Sequence, residues 1–129
     1  MRYLVSLLLS LYTIFSFAAA SVQVTNPQKA IFVQPNAATI TITLQSNPTT
    51  GYSWFLKGYN HFLVQPVSHS YTSPADNIPG APGFETWNFT VTAEAFKVPQ
   101  VTTVQLAYMR PWEPNNQQIQ TFTLVTQTH

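Results

Sequence analysis

Apolar and polar residues alternate with a period of two along much of this chain, and this pattern constrains the fold more than any other feature. The clearest alternating runs are residues 39–44, 87–92, 103–108 and 121–124. Because successive side chains of a strand point to opposite faces, each run predicts a strand with one buried face and one polar face that is largely threonine. Further candidate strands, shorter in the sequence, are residues 21–25, 30–33, 52–56 and 62–67. Seven or eight short strands separated by turn signals predict an all-β sandwich or barrel, with Trp54 and Trp87 in its core.

The first twenty residues have a different composition from the remainder of the chain. Arg2 precedes a mostly apolar run over residues 3–17, and three alanines end at Ala20. This order is typical of a secretory signal peptide. The alternative is a membrane anchor, for which the run is short against the ~20 residues that a span needs. We therefore expect residues 1–20 to be cleaved, leaving a single domain of residues 21–129 that is secreted or periplasmic and no longer bound to a membrane.

Composition excludes several functional classes. The chain contains no cysteine, which excludes disulfides, thiolate metal sites and cysteine nucleophiles. Only 7% of residues are charged, and the net charge is +1 without a basic cluster, so nucleic acid is not an expected partner. His61, His69 and His129 are scattered, with no carboxylate in an obvious register beside them. Without a nucleophile elbow or a zinc or nucleotide motif, we predict no enzyme, no catalytic residue, no metal and no cofactor.

Proline and glycine concentrate in three loops, at residues 47–51, 73–83 and 110–116, which hold six of the ten prolines and three of the four glycines. The first loop could be a simple hairpin turn and the second a slack connection. In the third, Trp112 follows Arg110 between prolines. Trp and Arg are enriched at interface hot spots, although a tryptophan that folds back onto the core would give the same sequence.

Taken together, these segments resemble the chagasin-like inhibitors of papain-family cysteine peptidases. The residues that carry the resemblance are Asn47-Pro48-Thr49-Thr50-Gly51-Tyr52 with Trp54 behind them, Gly80-Ala81-Pro82-Gly83, and Tyr108-Met109-Arg110-Pro111-Trp112. Their order and spacing agree over about residues 38–125. One departure is that the family's second loop usually reads Gly-x-Gly-Gly, whereas Pro82 stands at the third position here. Proline removes one N–H donor from that loop.

The resemblance implies an immunoglobulin-like β-sandwich whose three loops lie side by side at one end. Residues 47–52, which we call the wedge loop, would cover the catalytic Cys and His of the peptidase, with Thr49 and Thr50 in the place of a scissile bond. Residues 80–83 would lie beside the substrate-binding subsites, and residues 110–112 would pack against the wall of the primed side. The implied function is reversible, competitive and non-covalent inhibition of a papain-like cysteine peptidase, and we expect a monomer.

A second interpretation is an exported immunoglobulin-like adhesion or carbohydrate-binding module. In that case Trp112, Tyr71 and Phe84 would stack on sugars, while Asn115 and Asn116 would bond to hydroxyls. The wedge loop distinguishes the two hypotheses, because a sugar site built on Trp112 would not need it.

Overall fold

The computed structural model of the chain describes residues 21–74, 78 and 80–128. The predicted signal peptide, part of the second loop and His129 lie outside these residues. In chain order, the strands of the described part are β1 (Ser21–Val24), β2 (Ile31–Val33), β3 (Thr39–Ser46), β4 (Ser53–Tyr59), β5 (Val64–Thr72), β6 (Gly83–Val91), β7 (Gln100–Met109) and β8 (Gln118–Thr126). Among the same residues, none forms a helix of the length and hydropathy that crossing a membrane requires.

The strands form two four-stranded sheets, in the orders β1-β3-β6-β5 and β2-β8-β7-β4. β1 pairs with β3 and β2 with β8 in parallel, whereas the other neighbours are antiparallel. Ile40 and Phe89 of the first sheet share a core with Leu106 and Phe122 of the second. The sheets therefore pack face to face, and the predicted all-β fold of seven or eight strands is confirmed.

The alternation found in the sequence corresponds to the inward and outward faces of the strands. On β3, Ile40 and Ile42 are fully buried, while Thr41 and Thr43 between them stay partly exposed. Burying an aliphatic or aromatic side chain stabilises a fold by about 1.5–3 kcal/mol. A core of this kind can hold a domain without cysteine through packing alone.

The two strands β4 and β5 are longer than predicted. β4 continues three residues beyond the expected residue 56, and β5 continues five beyond residue 67. Both are edge strands, and each contains a bulge, at Lys57 in β4 and at Val67 in β5. Because every residue of β5 after Val64 is exposed, its sequence lacks the alternation that identifies a half-buried strand.

The three tryptophans occupy different environments. Trp54 is 7% exposed and belongs to the core, as predicted. Trp87 is only partly buried and packs against the margin of the core, so its prediction as a core residue is confirmed in part. Its ring packs against the His69 ring of the edge strand β5, at 4.4 Å between centroids. Its buried Nε1 has no hydrogen-bond partner among the residues that the structure describes. Trp112 is 68% exposed and is not part of the core.

Candidate functional site

Three loops leave the same end of the sandwich. The wedge loop joins β3 to β4, residues 73–82 join β5 to β6 (the β5–β6 loop), and residues 110–117 join β7 to β8 (the β7–β8 loop). The last strand pairs before the wedge loop are Ser46 with Gly83 in one sheet and Ser53 with Met109 in the other. The pairing register therefore gathers the three predicted segments at one surface.

The wedge loop crosses between the two sheets. β3 belongs to the first sheet and β4 to the second, so the interpretation of residues 47–51 as a hairpin turn is wrong. The chain makes a short 3-10 helix over Pro48–Thr50, and Gly51 follows with φ of 85°. The Thr50 N–H donates to the Asn47 carbonyl oxygen (N···O 3.2 Å), and the Gly51 N–H donates to that of Pro48 (3.0 Å). The tight turn requires the left-handed conformation that glycine adopts readily.

Side-chain hydrogen bonds order the wedge loop from inside. The Thr49 hydroxyl donates to Asn47 Oδ1, and the Thr50 hydroxyl donates to the Asn47 carbonyl oxygen, both at 2.6 Å. Pro48, Thr49 and Thr50 are nevertheless exposed at the tip. The tip therefore offers a neutral surface whose hydroxyl protons already have acceptors within the loop.

Asn47 ties the wedge loop to its neighbours. Its Nδ2 donates to the Gly80 carbonyl oxygen (3.2 Å), and its backbone N–H donates to the Tyr108 hydroxyl (3.0 Å). Gly80 has φ of 81° in a turn that the Ala81 N–H closes by donating to the Ile78 carbonyl oxygen (3.0 Å). Glycine adopts such a positive φ readily.

Arg110 ties the β7–β8 loop to the wedge loop. Its Nε donates to the Thr50 carbonyl oxygen (2.9 Å), and its Cζ lies 4.7 Å from the centroid of the Tyr52 ring. Its Nη1 also lies 3.5 Å from a carboxylate oxygen of Glu113. The guanidinium group is thus engaged within the molecule, against the back of the wedge loop.

Trp112 lies beside the wedge loop with most of its surface in solvent. The indole also packs over Gly51, where an added Cβ would come within 2.6 Å of the Trp112 Cη2 atom. The interpretation of Trp112 as a cap on the core is therefore wrong. Its large, exposed and partly supported ring has the character of an interface anchor.

The segment Gly80-Ala81-Pro82-Gly83 has an exposed and a buried part. Gly80 and Pro82 are exposed, and Ala81 is partly covered. Gly83 is instead the buried first residue of β6, where an added Cβ would lie 2.3 Å from the Thr72 carbonyl oxygen. Its lack of a side chain serves packing beneath the loop, and residues 80–82 form the accessible surface.

A buried carboxylate behind the wedge loop was missed in the sequence. Glu85 accepts from the Ser53 hydroxyl (2.8 Å), and the same oxygen lies 2.7 Å from His69 Nε2, so the expectation that no carboxylate accompanies the histidines is wrong. The alternation along β6 could have indicated this burial, because Glu85 precedes Trp87 by two residues and therefore points to the same inward face.

This cluster cannot act as a hydrolase triad. In such a triad the histidine lies between the serine and the acid, where it can take the hydroxyl proton. Here the carboxylate of Glu85 lies between Ser53 and His69, so the Ser53 hydroxyl donates to the carboxylate rather than to the imidazole. Within residues 21–74, 78 and 80–128, no group of three His, Asp or Glu side chains could hold a metal ion.

Two aromatic residues of the carbohydrate-binding interpretation lie on opposite faces of one sheet. Tyr71 pairs with Glu85, and Phe84 pairs with Thr72 at the next position along the ladder. Because adjacent positions face opposite sides of a sheet, Tyr71 and Phe84 cannot form one stacking platform. The geometry does not favour a sugar-binding site here.

Comparisons with known proteins agree with this geometry. Residues 35–125 match the family model of the chagasin family of peptidase inhibitors, I42. The chain is 32% identical over 101 residues to chagasin from Trypanosoma cruzi, covering 69% of this chain and 87% of chagasin. A cysteine protease inhibitor from Entamoeba histolytica superposes with a TM-score of 0.65 at 22% identity, over 83% of this chain and 96% of the other. Amebosin superposes with a TM-score of 0.62 at 25% identity, over 85% and 100%. The immunoglobulin-like form of the sandwich is thereby confirmed.

Proposed function

Since this chain belongs to the chagasin family of peptidase inhibitors, and so inhibits papain-like cysteine peptidases rather than acting as an enzyme, we propose that its three joined loops occlude the active-site cleft. One observation carries this proposal. The loops are hydrogen-bonded to one another through Asn47 and Arg110, while the tips at Thr49, Pro82 and Trp112 remain exposed. Such a surface is ordered before it meets a partner.

The wedge loop fits a cleft that contains a thiolate and an imidazolium. Its side chains are all neutral. Binding therefore avoids the desolvation of an unpaired charge, which costs several kcal/mol per ion. The hydroxyl protons of Thr49 and Thr50 have acceptors within the loop and need none from the peptidase. The internal bonds also reduce the entropy that is lost when the loop is immobilised on binding.

The outer loops have distinct roles in this proposal. Residues 80–82 lie along the substrate-binding subsites, and Trp112 packs against the primed side of the cleft as the main anchor. Arg110 mainly supports the wedge loop, because its guanidinium group donates to the Thr50 carbonyl oxygen and packs over the Tyr52 ring. Inhibition is competitive because the wedge occupies the space of the substrate, and it is reversible and non-covalent.

The decisive experiment measures inhibition of papain with a fluorogenic peptide. The variant Thr49→Glu/Thr50→Glu places two charges at the tip and should raise the inhibition constant at least about 100-fold, since each charge would be desolvated without a partner. The matched control is Thr90→Glu/Thr103→Glu, on exposed strand positions outside the three loops. Circular dichroism should show both variants folded. Normal inhibition by the charged wedge variant, or equal loss in the control, would contradict the proposal.

We also propose that the mature domain works as a monomer. The free edges of the sandwich support this, because β1 and β2 have only four and three residues, and β4 and β5 are interrupted by bulges. Short or bulged edges discourage edge-to-edge pairing between molecules. Light scattering after size exclusion should give the mass of one chain. A dimer mass at micromolar protein would contradict this assignment.

Export is a further part of the proposal. It rests on the charged, apolar and small-residue segments of residues 1–20. After cleavage the domain carries four basic and four acidic side chains, so neither nucleic acid nor an anionic membrane is an expected partner. Mass spectrometry of the protein recovered outside the cytoplasm should give an N-terminus at Ser21. Recovery of the chain with Met1 still attached would contradict export by cleavage.

A further inference from the structure

Glu85 is a carboxylate buried between the two sheets. It lies on the inner face of β6 and is only 2% exposed. One oxygen accepts from the Ser53 hydroxyl at 2.8 Å and lies 2.7 Å from His69 Nε2, and the other accepts from the Trp54 N–H at 3.0 Å. A carboxylate is costly to bury unless its oxygens are bonded. The three contacts meet that requirement and join β6 to β4 and β5.

The partners of Glu85 lie where the wedge loop ends. Ser53 and Trp54 are the first two residues of β4, directly after Tyr52. β4 is an edge strand with β7 as its one neighbour, so the N–H groups on its outer side have no strand partner. Glu85 accepts a hydrogen bond from the Trp54 N–H, and it does so across the sandwich, because β6 belongs to the other sheet.

The opposite stem of the wedge loop is held separately. The Asn47 N–H donates to the Tyr108 hydroxyl (3.0 Å), and Trp54 Nε1 donates to the Gln45 carbonyl oxygen (3.0 Å). Trp54 therefore belongs to one stem and contacts the other through its indole, while its backbone N–H is bonded to Glu85. Without Glu85, the start of β4 would lose its hydrogen bonds to β6 at Ser53 and Trp54.

We propose that Glu85 is a positioning residue for inhibition, which fixes the stem of the wedge loop without touching the peptidase. This inference rests on the proposed function of the wedge loop. Because Glu85 is buried, it cannot contribute a contact to the complex itself. It acts by keeping the loop in the conformation that enters the cleft. If that conformation is populated only to a fraction f, the apparent dissociation constant rises by 1/f.

This role has a kinetic signature that distinguishes it from a contact. Removing a group that touches the partner chiefly accelerates dissociation. Removing a group that only orders the loop slows association, because fewer encounters meet the competent conformation, while the complex once formed keeps its contacts. We expect Glu85→Ala to lower the association rate constant about tenfold or more and to leave the dissociation rate constant within about twofold.

The experiment measures both rate constants against papain by surface plasmon resonance. Three variants are compared with the parent: Glu85→Ala, Glu85→Gln, which keeps one oxygen acceptor, and the control Thr126→Val. Thr126 is also buried, and its hydroxyl bonds to the Gln100 backbone, outside the three loops. Glu85→Gln should recover part of the association rate, and Thr126→Val should lower thermal stability without changing either rate constant.

Hydrogen exchange provides a second measurement that needs no peptidase. The amides of Thr50 and Gly51 donate within the wedge loop, so their exchange should accelerate in Glu85→Ala and not in Thr126→Val. If Glu85→Ala does not fold, Ser53→Ala removes one of the same contacts and should move both measurements in the same direction. Parental association and exchange rates in these variants would overturn the proposal.

Failure of the two proposals can be told apart. If the parent does not inhibit papain, the proposed function fails, and the exchange comparison still tests whether Glu85 orders the wedge loop. If the parent inhibits papain and Glu85→Ala associates at the parental rate, the positioning role fails alone. Equal slowing of association by Thr126→Val would also overturn that role, because it would show a general response to destabilisation.

Discussion

The contact between Gly51 and Trp112 gives the most specific test of how the loops support one another. Gly51 has φ of 85°, and a Cβ at this position would lie 2.6 Å from Trp112 Cη2 and 3.0 Å from Cζ2. Gly51→Ala therefore adds two perturbations at once. The backbone must hold an L-residue in the left-handed region, and the indole must move away from the wedge loop.

The two perturbations have different magnitudes and different readouts. The left-handed conformation costs about 1–2 kcal/mol for an L-residue, offset by about 0.4–1 kcal/mol because alanine restricts the unfolded chain. The free energy of unfolding should thus fall by roughly 1 kcal/mol. Displacement of an exposed indole costs little stability. As an anchor, however, Trp112 is expected to contribute about 2 kcal/mol or more to binding, so its displacement should weaken inhibition about 30-fold.

Gly80→Ala is the matched control for backbone strain. Gly80 has φ of 81°, close to that of Gly51, and apart from its chain neighbours no heavy atom of the described residues lies within 4 Å of the position of its Cβ. Urea denaturation should therefore give similar losses of stability for Gly51→Ala and Gly80→Ala. A much larger loss for Gly51→Ala would mean that the contact with Trp112 holds the fold itself.

A double-mutant cycle with papain then separates the contact from the strain. Trp112→Ala should weaken inhibition about 30-fold and change the melting temperature little, because the side chain is mostly exposed. In that background Gly51→Ala should add almost nothing, since the indole that it displaces is gone. If Gly51→Ala weakens inhibition equally in both backgrounds, the loss arises from the wedge backbone, and our reasoning about Trp112 is wrong.

Three further predictions concern the supports of the site. Trp54→Phe should destabilise the protein by about 2 kcal/mol in urea denaturation, because it removes the hydrogen bond to the Gln45 carbonyl oxygen and some core volume. Trp87→Phe should cost less, because the buried N–H that it removes has no partner among the described residues. An equal cost would contradict this difference. Asn47→Ala should weaken papain inhibition about tenfold, as the bonds to Gly80 and Thr49 are lost; parental inhibition would refute it. Pro82→Gly should slow dissociation in surface plasmon resonance by restoring an N–H donor, and faster dissociation would show that the rigidity of proline matters more.

The sequence predicted the central strands well because their two faces differ in environment. Residues 39–44 and 121–124 alternate in composition as they alternate in burial, so a period of two is sufficient evidence. The C-terminal half of β5 could not be found in this way. It lies at a sheet edge with exposed residues on both faces, and its pairing with β6 leaves no periodic signal in its own composition.

The resemblance predicted which three segments form the candidate site, whereas the links between them depend on three-dimensional pairing. Asn47 and Gly80 are 33 residues apart, and Arg110 and Thr50 are 60 apart. Which sheet a strand joins decides whether such residues meet, and local patterns do not carry that information. The wedge loop was for the same reason open to interpretation as a hairpin. The role of Glu85 could have been predicted from the sequence, since an acidic side chain at an inward-facing strand position requires a partner.

The residues that the resemblance groups as one contact surface fall into two physical classes. Asn47, Gly51 and Arg110 are engaged with other loops of the same molecule, through a hydrogen bond, a close packing contact and a second hydrogen bond. Thr49 and Trp112 present exposed surface that a partner can cover. Substitutions of Asn47 or Arg110 should slow association, because they reduce the population of the competent arrangement. Substitutions in the second class should speed dissociation, and so should Gly51→Ala, because it displaces Trp112. A domain without cysteine can therefore order three loops at one end, since hydrogen bonds between the loops take the place of covalent links.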